Sequence, residues 1–234
     1  MAIRGKPKII LDAIVNVFEL LKNSNLIYYY NPPQIDTTLE EVLITWPNHA
    51  PGRQNAPREF TRINYFLHIL RARSFSAILF DGSIIRISYK FYKESLVEYN
   101  FLWWPSPFCL DFDETQGLTM DELVECYIDS HSWHEDIQMR SPIRFDYDCA
   151  RDEDFHPASH VHMQDPDCRM RVSHPICLNT FLKFIFCNFY SEKYRSNDFW
   201  DDLEPIRMYK FNRKIVEDKF VTLGWTGSQE YKII

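Results

Sequence analysis

Most of the residues whose side chains could do chemistry lie in one window, between positions 144 and 171. An Arg-x-Asp-x-Asp run comes first, a His-Pro-Ala-Ser-His-Val-His run follows, and an Arg-x-Arg pair closes the window. His160 and His162 are two residues apart, so they share one face if the segment is extended. Both imidazoles would then face Arg144 and Asp146 on a neighbouring strand.

Three chemistries fit this window. The first is metal-independent phosphodiester cleavage, in which one histidine is the base, another is the acid, and Arg144 stabilises a pentavalent phosphate. The second is a metal site made by the three histidines with Asp146 or Asp148. The third is structural, with the imidazoles donating to backbone carbonyls or to Asp146 and so tying a loop onto a sheet.

The sequence lacks the paired motifs of zinc sites, C-x-x-C and H-E-x-x-H, so we predict neither a metal nor a cofactor. A serine nucleophile is also disfavoured, because Ser159 lies outside any G-x-S-x-G elbow. The predicted catalytic residues are His156, His160, His162, Arg144 and Asp146.

The elements that must position these residues are typical of an α+β fold. Apolar residues alternate after the Asp81-Gly82 turn, which predicts an antiparallel meander with one polar face. The predicted elements are a helix over 7–25, a short strand over 42–46 in an otherwise irregular arm, strands over 77–80, 85–91, 97–103 and 143–147, and a core helix over 178–190. We expect one α+β domain over 1–234, an antiparallel sheet packed by N-terminal and C-terminal helices.

The formal net charge of −7 conceals a polarity along the chain. Residues 1–75 hold 9 basic and 6 acidic residues, which gives +3, and residues 169–234 hold 11 and 8, which again gives +3. Residues 76–168 hold 6 basic and 19 acidic residues, which gives −13. The acidity is concentrated at 105–140, which we interpret as an acidic helical insertion.

Within this insertion, Thr119-x-x-Glu122 predicts a capping box that begins a helix over about 120–130. Asp121, Glu125 and Asp129 follow at i, i+4 and i+8, so they form one acidic stripe. The stripe is either a solvated face or a protein-docking surface, for a basic partner or for the basic flanks of the same chain.

The basic flanks supply the candidates for nucleic-acid contacts. The overall charge argues against a protein that covers nucleic acid non-specifically, and no G-x-G-x-x-G or P-loop occurs. The two +3 flanks are nevertheless compatible with an RNA or DNA partner. The predicted contact residues are Arg53, Arg58, Arg62, Arg169 and Arg171, with the basic tail over 206–220. Tyr89, Tyr99 and Trp103 could stack bases.

The first residues of the chain predict a cytoplasmic protein. The apolar stretch after the basic N-terminus is interrupted by Asp12, Asn16 and Glu19, which excludes a secretory h-region and a membrane span. The six cysteines form no C-x-x-C pair and are expected to be reduced thiols. No membrane partner is predicted.

The motif run extends from Arg144-x-Asp146 through the three histidines to Cys168-Arg169 and a Phe-rich helix that ends Asn188-Phe-Tyr190. With this run the chain resembles an uncharacterised bacterial domain-of-unknown-function family. It is more remotely similar to the TumE-like toxins of toxin–antitoxin systems. The elements in common are the Asp81-Gly-Ser turn, the Tyr-rich meander, the Arg-x-Asp strand and the spaced histidines.

The resemblance implies a prokaryotic toxin or phage-defence-type protein that acts on RNA or as one subunit of a defence complex. Two functions follow from it. The first is a ribonuclease-like, metal-independent phosphodiesterase that uses the His/Arg/Asp cluster. The alternative is a non-catalytic interaction subunit that binds another protein of the same system, with structural histidines.

Overall fold

The α+β class predicted from the sequence is confirmed. The computed structural model describes residues 3–49, 62–108, 117–129, 137–138, 140–153, 155–164 and 167–206. The strands are β1 (Ile27–Tyr30), β2 (Gln34–Thr37), β3 (Glu41–Thr45), β4 (Ala77–Leu79), β5 (Ile84–Tyr92), β6 (Ser95–Trp104), β7 (Ile143–Asp148), β8 (Ser159–Met163) and β9 (Met170–Arg171). The helices are α1 (Gly5–Asn23), α2 (Ile63–Arg71), α3 (Met120–Asp129), α4 (Leu178–Phe189), α5 (Ser191–Arg195) and α6 (Phe199–Asp202).

Nine strands form one antiparallel sheet in the described part of the chain. The order is β1-β4-β5-β6-β7-β8-β9, and the β2–β3 hairpin attaches at the side of β5. One edge of β5 is shared, because β4 pairs with its start at Ile84–Ile85 and β3 pairs with its end at Tyr89–Tyr92. The predicted meander is therefore the centre of a wider sheet.

The turn between β5 and β6 has an unusual backbone. Lys93 and Glu94 both have positive φ, 45° and 64°. A two-residue turn with both φ values positive matches the twist of antiparallel strands, although glycine or asparagine is the usual occupant. In the Asp81-Gly82 turn a glycine occupies the position with a positive φ, which is 81° at Gly82.

One face of the sheet carries the main core. The alternating apolar residues of β5, β6 and β7 point towards α1 and α4, so Ile87, Phe101 and Phe145 are buried against Phe18 and Phe181. The Phe181 ring lies 5.5 Å from the Phe101 ring and 6.0 Å from the Phe145 ring, centroid to centroid. The predicted core helix over 178–190 thus packs on the sheet, as α4.

The opposite face is divided into a covered end and an open end. At the covered end, Leu102 and Trp104 of β6 pack with Phe66 of α2 and Leu123 of α3. The acidic helix α3 therefore lies over this end, beside α2. At the open end, the polar residues of β5–β8 line a cleft.

The helix α3 begins with the predicted capping box. The backbone N–H of Thr119 donates to Glu122 Oε2 at 2.7 Å, and the backbone N–H of Glu122 donates to Thr119 Oγ1 at 3.3 Å. These reciprocal bonds satisfy two of the amide groups that a helix start leaves open.

The structure corrects two expectations from the sequence. The arm after α1 contains three strands where one was predicted, because Pro32 and Pro33 lie between β1 and β2 and end strands without preventing them. The base-stacking role suggested for Tyr89, Tyr99 and Trp103 is wrong, because all three side chains are buried in the main core.

The cysteines and helices of the described residues add two findings. Cys126, Cys149, Cys168, Cys177 and Cys187 carry free thiols. Across the described ranges, we find no helix with both the length and the apolar character that a bilayer crossing requires.

Candidate functional site

Strand register brings the predicted catalytic residues together. On β7 and β8, Arg144 lies opposite His162, and Asp146 lies opposite His160. On the other side of β7, Asn100 of β6 lies opposite Asp146. Residues directly opposite each other in antiparallel strands point to the same face. The arginine, the carboxylate, the amide and both imidazoles therefore form one patch on the open end of the polar face.

The Asp146 carboxylate is the centre of this patch. Its Oδ2 accepts from Arg144, with Nη2 at 2.6 Å and Nε at 2.9 Å. The same oxygen lies 3.1 Å from Nε2 of His162 and 3.8 Å from Nε2 of His160. Oδ1 accepts from the side-chain amide of Asn100. Three side chains from three strands, those of Asn100, Arg144 and His162, thus hold one largely buried carboxylate.

The hydrogen bonds of His160 fix its tautomer. Its Nδ1 lies 2.7 Å from the carbonyl oxygen of Pro157, which can only accept, so Nδ1 carries the proton. In the neutral ring, Nε2 then presents its lone pair. Nε2 of His162 lies 3.0 Å from this nitrogen and 3.1 Å from Oδ2 of Asp146, so its one N–H is shared between two acceptors. Nδ1 of His162 is buried without a hydrogen-bond partner.

The surroundings shift the pKa values of this cluster. Burial alone would raise the pKa of Asp146, but the positive charge of Arg144 and the hydrogen bond from His162 outweigh it and hold that pKa well below its ordinary range. Burial lowers the pKa of His160 to about 4, against the attraction of Asp146. Burial and the charges of Arg169 and Arg151 also lower the pKa of His156. At neutral pH the cluster therefore combines an ionised carboxylate with a neutral His160.

The patch is the floor of an open cleft of about 660 Å³. Among the described residues, five carboxylates and four Lys or Arg side chains line it, which gives a formal charge of −1 with neutral histidines. The charged lining residues are Asp36, Glu41, Glu98, Asp146, Asp148, Lys90, Arg144, Arg151 and Arg169. Each of the four cations has a carboxylate oxygen within 4 Å. A cleft of this volume suits a ligand the size of a small molecule or of part of a polymer.

The fifth predicted catalytic residue, His156, lies beside the cluster. Its ring is 4.9 Å from the His160 ring, centroid to centroid, and it lines the same cleft. It is partly buried, and its Nδ1 has no hydrogen-bond partner. All five residues predicted to be catalytic thus lie in one cleft.

The predicted nucleic-acid contacts do not form one group. Arg169 lines the cleft, whereas Arg171 pairs with Asp152 at 3.3 Å and Arg62 immediately precedes α2, at the covered end of the face. Arg53, Arg58 and the basic tail after residue 206 lie outside the described residues.

The predicted docking stripe lies away from the cleft. Asp121 pairs with Arg73 at 3.2 Å, so one residue of the stripe contacts the basic segment that precedes the meander. Glu125 is exposed, and the side chain of Asp129 is outside the described part of the structure. None of the cleft-lining residues comes from α3.

Sequence reasoning missed two groups that orient the cluster. Asn100 fixes Asp146, but its place opposite that residue depends on the β6–β7 register, which no local pattern determines. The Pro157 carbonyl fixes the His160 tautomer, and its signal was present as the proline three residues before that histidine.

Comparison with known proteins identifies a family but no activity. The sequence model of a family of uncharacterised conserved proteins, DUF2290, matches residues 26–223, which is most of the chain. Neither the curated proteins nor the solved structures contain a match to the chain. The predicted membership of an uncharacterised domain family is thereby confirmed, and its remote similarity to toxins stays a prediction.

Proposed function

We propose that this chain, which belongs to the DUF2290 family of uncharacterised conserved proteins, is a ribonuclease-like phosphodiesterase of the toxin or phage-defence type. One observation carries the proposal: two imidazole Nε2 atoms and an arginine-bound carboxylate converge on the floor of an open cleft. A structural role would need only the bonds to the Pro157 carbonyl and to Asp146, whereas both histidines also line the cleft.

The geometry indicates how the cluster would divide the reaction. In an in-line displacement the attacking and leaving oxygens lie on opposite sides of phosphorus. Two Nε2 atoms only 3.0 Å apart cannot serve both sides at once. His160, His162 and Asp146 therefore act as one centre on the nucleophile's side. Nε2 of His160 accepts the proton of the attacking hydroxyl as that oxygen bonds to phosphorus, and the N–H of His162 stays bonded to Asp146.

The breaking bond, between phosphorus and the leaving oxygen, then points away from that centre. The leaving oxygen must gain a proton as it departs. His156, whose ring lies beyond that of His160, is the cleft residue we assign to this role. Arg144 keeps the Asp146 carboxylate ionised and oriented and is a positioning residue.

The location of the acidic helix is compatible with an anionic substrate. Acidic side chains of α3 inside the cleft would repel RNA. The helix α3 packs with α2 at the covered end of the polar face, and no described residue of α3 lines the cleft at the open end. The described lining of the cleft has a formal charge of −1.

A cleavage assay with a matched pair of histidine variants tests the proposal. Purified protein is incubated with a labelled single-stranded RNA, and His160→Gln is compared with His174→Gln, which lies outside the cleft and contacts Ser173. We expect His160→Gln to lower the cleavage rate by about 100-fold or more, since removal of an acid–base group typically costs that much. His174→Gln should keep the wild-type rate. Equal rates for both folded variants, or no cleavage by the wild type, would overturn the proposal.

A second function is favoured by a different observation, the pairing of every cleft cation with a carboxylate. A non-catalytic subunit of a defence complex would need no unpaired positive charge in the cleft. In cells, growth arrest or phage protection discriminates the two functions. Equal phenotypes of wild type and His160→Gln, together with intact cellular RNA, support the interaction subunit.

A further inference from the structure

We infer that Asp146, His160 and His162 form a binding site for a divalent transition-metal ion on the floor of the cleft. In the described residues these three form the one group of His, Cys, Asp or Glu side chains close enough to share an ion, with ligand atoms within 4.8 Å of one another. The sequence is compatible with a metal site of the three histidines with Asp146 or Asp148, but it predicts no metal, because no paired zinc motif is present. We replace that prediction with a site of two histidines and Asp146.

The distances among the three atoms match those of a coordination sphere. The Nε2 atoms are 3.0 Å apart, and Oδ2 lies 3.1 Å from one and 3.8 Å from the other. The circle through three points with those separations has a radius of about 2 Å. The separations therefore allow an ion about 2.0–2.1 Å from all three atoms, which is the distance that Zn–N and Zn–O bonds require. Binding displaces the proton from Nε2 of His162, because a ligating nitrogen must be deprotonated.

The groups around the three ligands are those that a metal site needs. A ligating imidazole usually donates its other N–H to a carbonyl or carboxylate, and Nδ1 of His160 donates to the Pro157 carbonyl. A ligating carboxylate is usually held by further hydrogen bonds, and Asp146 accepts from Asn100 and Arg144. Two of the three ligands are thus oriented before an ion arrives, and Nδ1 of His162 has no hydrogen-bond partner.

The ligand types determine the class of ion. Two imidazoles with one carboxylate suit zinc, manganese, iron or cobalt, whereas magnesium and calcium prefer oxygen ligands alone. Three protein ligands on the floor of an open cleft leave further coordination positions for water or substrate, the arrangement of catalytic sites. A bound divalent ion would also change the formal charge of the cleft from −1 to +1.

The inference deepens the proposed function and, as a statement about catalysis, rests on it. With an ion in place, both histidines are ligands, and the ion lowers the pKa of a bound water or hydroxyl on the nucleophile's side. The bond changes at phosphorus are unaltered, and the proton of the nucleophile passes to solvent. The geometric case for the ion itself does not depend on RNA.

Metal binding is tested on the full chain after EDTA treatment and dialysis. Zn²⁺, Co²⁺, Mn²⁺ and Mg²⁺ are titrated by isothermal calorimetry, and bound metal is counted by elemental analysis. The wild type is compared with Asp146→Asn and His162→Gln, and with His174→Gln as the matched histidine control. We expect one Zn²⁺ or Co²⁺ per wild-type chain, weaker Mn²⁺ binding and no Mg²⁺ binding. The two ligand variants should bind at least about 100-fold more weakly, and the control should equal the wild type.

Cobalt absorption separates this site from the free thiols, which also bind zinc and cobalt. We expect a Co²⁺ spectrum without thiolate charge-transfer bands. Thiolate bands, or unchanged affinity in Asp146→Asn and His162→Gln folded variants, would overturn the site. Metal binding at this site without RNA cleavage overturns the proposed function alone. RNA cleavage that persists in EDTA with no bound ion overturns the catalytic role of the ion alone.

Discussion

Replacing Arg144 by methionine should destabilise the protein far more than the loss of an exposed ion pair. The side chains of Arg144 and Asp146 are only 12% and 18% exposed. Arg144→Met removes two charge-assisted hydrogen bonds, at 2.6 and 2.9 Å, from a buried carboxylate. At about 1.5–2.5 kcal/mol for each such bond, the loss is about 3–5 kcal/mol, the range known for breaking one side of a buried pair.

The assay is urea unfolding at pH 7 in EDTA, so that no bound metal contributes to stability. Lys93→Met is the control, because the Lys93–Glu40 pair is also close, at 3.0 Å, but its side chains are 61% and 51% exposed. We expect the control to lose about 1 kcal/mol or less. In a double-mutant cycle, Arg144→Met and Asp146→Asn should show a coupling energy of about 1–3 kcal/mol. If Arg144→Met loses no more than the control, or if the cycle is additive, Asp146 is not held as we describe.

Three further predictions concern the cluster, the core and a turn. In EDTA, the free energy of unfolding should fall as the pH drops from about 6.5 to 4, because the unfolded chain protonates His160 at its ordinary pKa while burial lowers its folded pKa to about 4. Urea titrations at several pH values should show that the unfolding free energy of His160→Gln depends less on pH. An unchanged pH dependence would contradict the lowered pKa of His160. Phe181→Ala should lower the free energy of unfolding in urea by about 3–5 kcal/mol, because the Phe181 side chain is fully buried between the rings of Phe101 and Phe145. The control is Phe189→Ala, at a half-exposed side chain. Equal losses would show that the main core is placed wrongly. Glu94→Gly should raise the unfolding free energy by about 0.5–1 kcal/mol, because glycine adopts the positive φ of that turn without strain. A melting temperature below that of the wild type would contradict this stabilisation.

The fold was predictable where periodicity was strong. The alternation in β5, β6 and β7 predicted both the strands and the face that each residue occupies, because one side had to enter the core. The strand β1, with its Ile-Tyr-Tyr-Tyr sequence, and the helix α2 were missed. Both lie next to proline-rich or arginine-rich segments, and their stability comes from packing on distant elements, which no local pattern reveals.

The sequence predicted which residues form the site, but not the distances between their atoms. The spacing of His160 and His162 predicted one shared face, and the alternation in β7 placed Arg144 and Asp146 on the polar side. The separation of the two Nε2 atoms, however, depends on register and on rotamers fixed by Asn100 and Pro157. That separation is what turned an expected acid–base pair into a single centre.

The strands that carry the cluster also carry the core, and this links the integrity of the cluster to correct folding. In β8, His160 and His162 alternate with Val161 of the main core, and the same alternation holds in β7 around Phe145. A slip of one residue in the pairing of β8 would turn both imidazoles into the hydrocarbon interior and move Val161 to the polar face. A misregistered chain would therefore lose the whole cluster at once rather than gradually.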